Sequence, residues 1–155
     1  MTVIIEIKQV HSDPIAVVSR RARQSELSQV VPDACGQVWN FIRASGYTGA
    51  GRNIAVYHDG EVNLECGVEV TPAFWGGGDV YLSATPAGAA VHAAHIGPYE
   101  RLGDTHGAIR AWCAGRKHRF AGPSWEIYGH WTDDPAQLRT DIFYLLASKS
   151  AAPLP

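Results

Sequence analysis

The sequence predicts an α+β fold, a duplicated strand–helix–strand–strand module forming an antiparallel sheet with two main helices on one face. Three observations carry this prediction. Apolar residues alternate over several short stretches and recur at helical spacing over two longer ones. An Asp59-Gly60 pair joins two of the alternating stretches and is a strong hairpin signal. The order of these features then repeats after roughly 72 residues.

The elements follow in order. Residues 2–8 alternate, with Val3, Ile5 and Ile7 opposing Ile4, Glu6 and Lys8. Ile15-Ala16-Val17-Val18 is a second strand, set off by the turn-prone Ser12-Asp13-Pro14. A helix is predicted from Pro32, which suits a first helical position, with Asp33 favouring the N-terminal dipole. Cys35, Val38, Trp39 and Ile42 recur at helical spacing, and Gly46 is a stop. Strands at 53–58 and 62–70 make the hairpin. In the second of them Leu64, Cys66, Val68 and Val70 share one face and Glu65 and Glu69 the other. The loop Trp75-Gly76-Gly77-Gly78 precedes a short strand, Val80-Tyr81-Leu82.

The pattern then restarts. Pro86-Ala87-Gly88-Ala89-Ala90-Val91 resembles the stretch from Pro14 to Val18. A helix over 98–117 carries Leu102, Ile109 and Trp112 on one side, and strands follow at 124–130 and 139–146. Trp39 lies 25 residues after Pro14, and Trp112 lies 26 after Pro86. Tyr57 and Tyr128 lie 43 and 42 residues after the same two prolines. Two copies are too few for a solenoid, so a pseudo-two-fold domain over residues 1–148 is expected, with a C-terminal tail at 149–155. Its helices should cover one face of the sheet. A ligand cleft on the pseudo-two-fold is expected on the opposite face.

Composition narrows the function. The net charge of −2 gives no pull toward nucleic acid or an anionic membrane. Arg20, Arg21 and Arg23 form one short basic cluster, read as a solvated strand edge. Met1 opens directly into the first strand, without the basic start and apolar core of a signal peptide. No apolar run reaches the ~20 residues that a membrane helix needs. A cytoplasmic chain without membrane contact and without a fused DNA-binding unit is expected. Cys35, Cys66 and Cys113 are far apart and flanked by apolar residues, so they read as reduced, buried thiols. An exposed sheet edge can pair with a second copy, so the choice between monomer and weak homodimer stays open.

Several signals are discounted. His58, His92, His95, His106, His118 and His130 show no metal-ligand spacing, and no metal or cofactor is expected. Gly76-Gly77-Gly78 lacks the lysine and hydroxyl of a phosphate loop and reads as a flexible loop able to lid a cleft. Ser124 lacks the context of a nucleophilic serine.

The stretch Trp125-Glu126-Ile127-Tyr128 carries the candidate chemistry. Alternation places Trp125 and Ile127 on one face, and Glu126 and Tyr128 on the other. With the apolar pair against the helices, Glu126 and Tyr128 face the cleft. The first repeat is expected to answer with Tyr57 and Glu65. Trp75, Tyr81, Phe143 and Tyr144 are further candidates for its lining; of the last two, only one enters from the strand, and Phe143 is assigned. Trp39 is read as core packing, with ligand stacking as its other role. A carboxylate among rings supplies counter-charge to a delocalised cation. Its desolvation raises its pKa, which suits acid–base work. The pattern alone leaves Glu126 open between such a role and a solvent-facing strand position.

His95-Ile96-Gly97-Pro98-Tyr99, followed by Gly122-Pro123-Ser124-Trp125-Glu126-Ile127-Tyr128, resembles the GyrI-like small-molecule-binding domains. These are also the effector-binding domains of AraC-type and MerR-type multidrug regulators. The resemblance extends to Ala55–Asp59, Leu64–Val70 and Thr140–Tyr144, in order along the chain. It implies a duplicated module with a cleft for planar or amphipathic, often cationic, molecules, with Glu126 as the key carboxylate. Stand-alone members include gyrase-inhibiting proteins and hydrolases that open the cyclopropane ring of DNA-alkylating compounds. Three functions are therefore expected: sequestration or sensing of an aromatic, cationic or electrophilic molecule; a detoxifying hydrolase; and, ranked last, binding to gyrase or another protein. For the hydrolase, the resemblance implies Glu126 as base or water-orienting group, with Tyr128 or Tyr57 donating to the oxygen that gains charge.

Overall fold

The computed structural model describes residues 3–59 and 63–148. The strands are β1 (Ile5–Val10), β2 (Pro14–Arg21), β3 (Asn53–Tyr57), β4 (Asn63–Glu69), β5 (Tyr81–Ala84), β6 (Gly88–Ile96), β7 (Phe120–Tyr128) and β8 (Arg139–Leu146). Helix α1 (Leu27–Ser45) lies between β2 and β3, and α2 (Leu102–Gly115) lies between β6 and β7. All eight strands form one sheet in the order β1-β6-β8-β7-β3-β4-β2-β5, and every pairing is antiparallel. That order is symmetric about the β7–β3 junction. The duplicated strand–helix–strand–strand architecture is as the sequence predicts.

Register fixes the faces. Ala55 of β3 pairs with Glu126 of β7, which pairs with Ile142 of β8, so these three residues point the same way. Ala55 packs with Val31, Ala34, Cys35, Val38 and Ile42 of α1. Ile142 packs with Ile109 and Cys113 of α2. Both helices therefore cover the face that carries Glu126. The opposite face collects Ile15, Val17, Ile54, Val56, Ala90 and Trp125, all buried. Four strands lie between β2 and β6 in the sheet, yet their residues share this cluster. The sheet curls onto itself and largely seals that face with its own side chains, leaving a cavity of about 200 Å³ beside Trp125 and Phe143. The expected arrangement is thus reversed: Trp125 and Ile127 pack away from the helices, while Glu126 and Tyr128 lie beneath them. Alternation states which residues share a face but not which face is covered, and the curl decided the second question.

Two further details differ from expectation. Helix α1 begins at Leu27, after a short 3-10 turn at Gln24–Glu26, and holds Pro32 inside it. Pro32 cannot donate to the carbonyl four residues back. Leu27, Val30 and Val31 hold the extra turn by packing into the core. At the far end Gly46 adopts φ 72° and terminates the helix as predicted. The tryptophans are also not repeat mates. The buried helix positions Ala34, Val38 and Ile42 correspond to Thr105, Ile109 and Cys113. That 71-residue offset puts Trp39 opposite Arg110, and Trp112 opposite Phe41. The hairpin turn at Asp59-Gly60 reaches beyond the described residues, as does the tail at 149–155. On the described side, Tyr57 pairs with Leu64 and His58 donates to the Asn63 carbonyl at 2.9 Å.

Asp141 ties the sealed face to the solvent edge. It accepts from His92 Nε2 at 2.7 Å and from Arg139 Nη2 at 2.9 Å, with Arg52 Nη1 at 3.8 Å. Burial works against its charge, but the His92 bond and then the Arg139 bond and charge hold its carboxyl well below the ordinary range. A depressed folded pKa gives stability that is complete above the unfolded value, near 4, and drains as pH falls further. The Asp141 contribution is expected to be constant from pH 7 to 5, and the Tm to fall below about pH 4 as that contribution is lost. A Tm unchanged at pH 3 in a thermal unfolding series would contradict this.

Candidate functional site

Glu126 sits on the pseudo-two-fold. The 71-residue offset that relates the helices also takes Asn53, Ala55 and Tyr57 onto Ser124, Glu126 and Tyr128. Tyr57 and Tyr128 are therefore symmetry mates that converge from two strands on one carboxylate. Tyr57 donates to Glu126 Oε1 at 3.1 Å, and Tyr128 donates to the same oxygen at 2.7 Å. The position equivalent to Glu126 is Ala55, so the site has two tyrosines but one charge.

The other oxygen belongs to α2. His106 Nε2 lies 2.7 Å from Oε2. An ionised carboxylate only accepts, so Nε2 carries the proton and donates. His106 Nδ1 lies 2.6 Å from the Tyr144 hydroxyl, which Arg110 Nη1 reaches at 3.4 Å. The Glu126 side chain is 8% exposed and that of His106 is 19%. The imidazole thus stands between the carboxylate and the surface. Tyr99 meets the Tyr128 ring edge-on at 6.0 Å, and Phe120 lies 4.8 Å from the Tyr144 ring. Both are exposed aromatic residues beside the group.

Burial alone would raise the Glu126 pKa. The hydrogen bond and charge of His106, then Tyr128 and Tyr57, outweigh it and hold the carboxyl below its ordinary value. Burial, followed by the Glu126 charge, drives both phenols far upward. At neutral pH the site holds a fixed carboxylate and two fixed donors. The expectation of a carboxyl tuned upward for acid–base work is corrected by these bonds. Cys35 and Cys66, in the core beside it, are free thiols pushed up to about 11 and about 12, mainly by burial.

The other predicted residues distribute as follows. Trp39 donates its indole N–H to Asn53 Oδ1 at 2.7 Å, and Asn53 pairs with Tyr128, so Trp39 lies on the carboxylate's side. Glu65 does not join the site. Its register against Val56 turns it to the opposite face. There it accepts from Tyr81 at 2.5 Å, Ser83 at 2.9 Å and His58 Nε2 at 2.8 Å. Tyr81 goes with it, and its phenol is pushed up to about 12 by burial and then by Glu65. Phe143 stacks on Trp125 at 5.0 Å on the sealed face, so Tyr144 is the one of that pair that enters the site. Trp75 is 88% exposed on a loop whose Phe74 packs edge-on against Phe41 and Tyr47.

His106 was missed because it was weighed only as a metal ligand. At the 71-residue offset it falls on Cys35, a residue read as part of a buried helix stripe. That alignment is the signal that would have found it. Among the described residues no cluster of three or more His, Cys, Asp or Glu is arranged to hold a metal, and no described helix is long and apolar enough to cross a membrane.

The fold has known counterparts. The EcmrR C-terminal domain superposes with a TM-score of 0.75 at 20% identity, covering 96% of this chain and 99% of that one. SAV2435, solved bound to tetraphenylphosphonium, matches with a TM-score of 0.65 at 9% identity, over 94% of each chain. A hydrolase from Listeria innocua matches with a TM-score of 0.60 at 13% identity, over 92% of this chain and 91% of that one. No curated protein sequence matches the chain. The family model for the GyrI-like small molecule binding domain matches residues 56–146, which span Tyr57, His106, Glu126, Tyr128 and Tyr144. The chain belongs to the GyrI-like small molecule binding domain family.

Proposed function

We propose that this domain binds lipophilic aromatic cations between α1 and α2, with Glu126 as counter-charge, and serves to sequester or sense them. One observation carries the reading: a buried carboxylate, held ionised, whose three partners are two phenols and an imidazole. A buried carboxylate gains from any cation able to pair with it away from water. Ring faces add attraction for a delocalised cation, and more so where water is excluded. Tyr99 and Phe120 offer aromatic surface beside the group. SAV2435, which shares the fold, was solved with such a cation.

Ring opening by water is the less supported reading. A general base needs a free lone pair and a pKa near the working pH. Glu126 has both oxygens engaged and a lowered pKa.

The test compares tetraphenylphosphonium with triphenylphosphine oxide, an aromatic molecule without net charge, in thermal unfolding at pH 8. At about 100 times its Kd, the cation is expected to raise Tm by roughly 5–10 °C. The neutral compound should give little shift. Equal shifts, or none across a panel of aromatic cations, would overturn the reading.

A further inference from the structure

The imidazole of His106 occupies the place that a ligand cation would need. Both phenols crowd onto Oε1 from the sheet, whereas among the described residues Oε2 is held by His106 alone, from the helix layer. His106 is the more exposed member of the pair. Its second nitrogen is braced by Tyr144, with Arg110 behind. The duplication adds an independent point. The first module carries Ala55 where the second has Glu126, and Cys35 where the second has His106. Carboxylate and imidazole are present together in one module and absent together from the other.

We propose that His106 is the resident counter-ion of Glu126, an internal competitor that an entering organic cation displaces from Oε2, so that binding releases a proton and weakens as pH falls. The inference rests on the cation-binding reading above. The imidazolium and the ligand cation seek the same oxygen of the same carboxylate. Charge balance favours one of them at a time. When the ligand takes Oε2, the imidazolium loses its partner, and its proton passes to solvent.

Other polar and titratable groups face His106 from the elements packed around it. Tyr57 and Tyr128, from β3 and β7, stay protonated far above neutrality, as do the thiols of Cys35 on α1 and Cys66 on β4. The Tyr99 phenol is also raised by burial. Arg110 reaches the Tyr144 hydroxyl from the same helix. Tyr144 bonds Nδ1 from β8. Glu126 stays ionised down to acid pH. Imidazole is the side chain whose charge changes between about pH 5 and 8.

The experiment is calorimetric titration of tetraphenylphosphonium, whose charge does not vary with pH, from pH 5.5 to 8.5. Wild-type protein is compared with Glu126→Gln, His106→Gln and His106→Lys, each first checked for folding by circular dichroism. Wild-type affinity is expected to fall at least about tenfold from pH 8.5 to 5.5, with up to one proton released per cation bound, read from buffers of different ionisation enthalpy. His106→Gln should bind with nearly constant affinity across the range. His106→Lys, a competitor charged at every pH tested, should bind weakly throughout. A flat wild-type profile without proton release, or a His106→Gln profile with the wild-type slope, overturns the proposal while loss of binding in Glu126→Gln upholds the site. Binding that survives Glu126→Gln unchanged, or no binding by wild type at any pH, overturns the site reading and this inference with it.

Discussion

Glu126→Gln is expected to weaken tetraphenylphosphonium binding at pH 8 by roughly 30-fold, about 2 kcal/mol. The substitution keeps the side chain's size and one acceptor oxygen. Tyr57 and Tyr128 both donate to Oε1, so the amide carbonyl can replace that oxygen with little rearrangement. The amide nitrogen would then face His106, where Oε2 now accepts. The imidazole tautomer with its proton on Nδ1 accepts from that amide at Nε2 and keeps its bond to Tyr144, so the fold should survive. The variant chiefly loses the net charge, and the affinity difference should report that loss. A variant that folds and binds the cation as tightly as wild type would show that the carboxylate is not the counter-charge.

The largest expected effect on stability is at Gly67. A Cβ built there would lie 1.8 Å from the Ala16 carbonyl oxygen and 2.8 Å from the Val17 Cα. Both are backbone atoms of the neighbouring strand, so no side chain can swing aside. Gly67 pairs with Val17 on one side and Ile54 on the other, which leaves no free edge for β4 to move toward. Its carbonyl also accepts from the Cys35 thiol of α1 at 3.4 Å. Overpacking at side chains costs about 1–3 kcal/mol, and here the backbone itself must part. Gly67→Ala is expected to cost at least about 3 kcal/mol in urea unfolding, or to abolish folding. A cost under about 1 kcal/mol would mean that the strands are less closely apposed.

The sequence carried most of the fold and half of the site. Strand alternation, the hairpin and Gly46 were readable because they express local backbone chemistry. The duplication was also visible, and with it the convergence of Tyr57 and Tyr128 near Glu126. Two kinds of information were not local. Which face of a strand is covered depends on the curl of the whole sheet, and the curl reversed the roles of Trp125 and Glu126. Pairing register across the same sheet put Glu65, Tyr81 and Phe143 on the side away from the carboxylate and brought in Tyr144. The helix register was the second gap. Aligning the repeats on Pro14 and Pro86 paired Trp39 with Trp112 and hid the match of His106 with Cys35. Buried spacing in the helices, Ala34-Val38-Ile42 against Thr105-Ile109-Cys113, supplies the offset that two conspicuous tryptophans obscured. Helix α1 began early for a related reason: Leu27 and Val31 gain enough from burial to outweigh the lost hydrogen bond at Pro32.

The central claim is that a cation replaces His106 at Glu126, on the helix-covered face. The most direct test is a crystal structure of the complex with tetraphenylphosphonium at pH 8. The account predicts the phosphonium between α1 and α2, within about 6 Å of the ring centroids of the tyrosines around Glu126, with the His106 imidazole turned away from Oε2. A rival location exists on the opposite face, in a cavity of about 200 Å³ lined by Val10, Ile15, Glu69, Trp125, Ile127 and Phe143. A cation seated there, with the His106–Glu126 bond intact, would contradict the account.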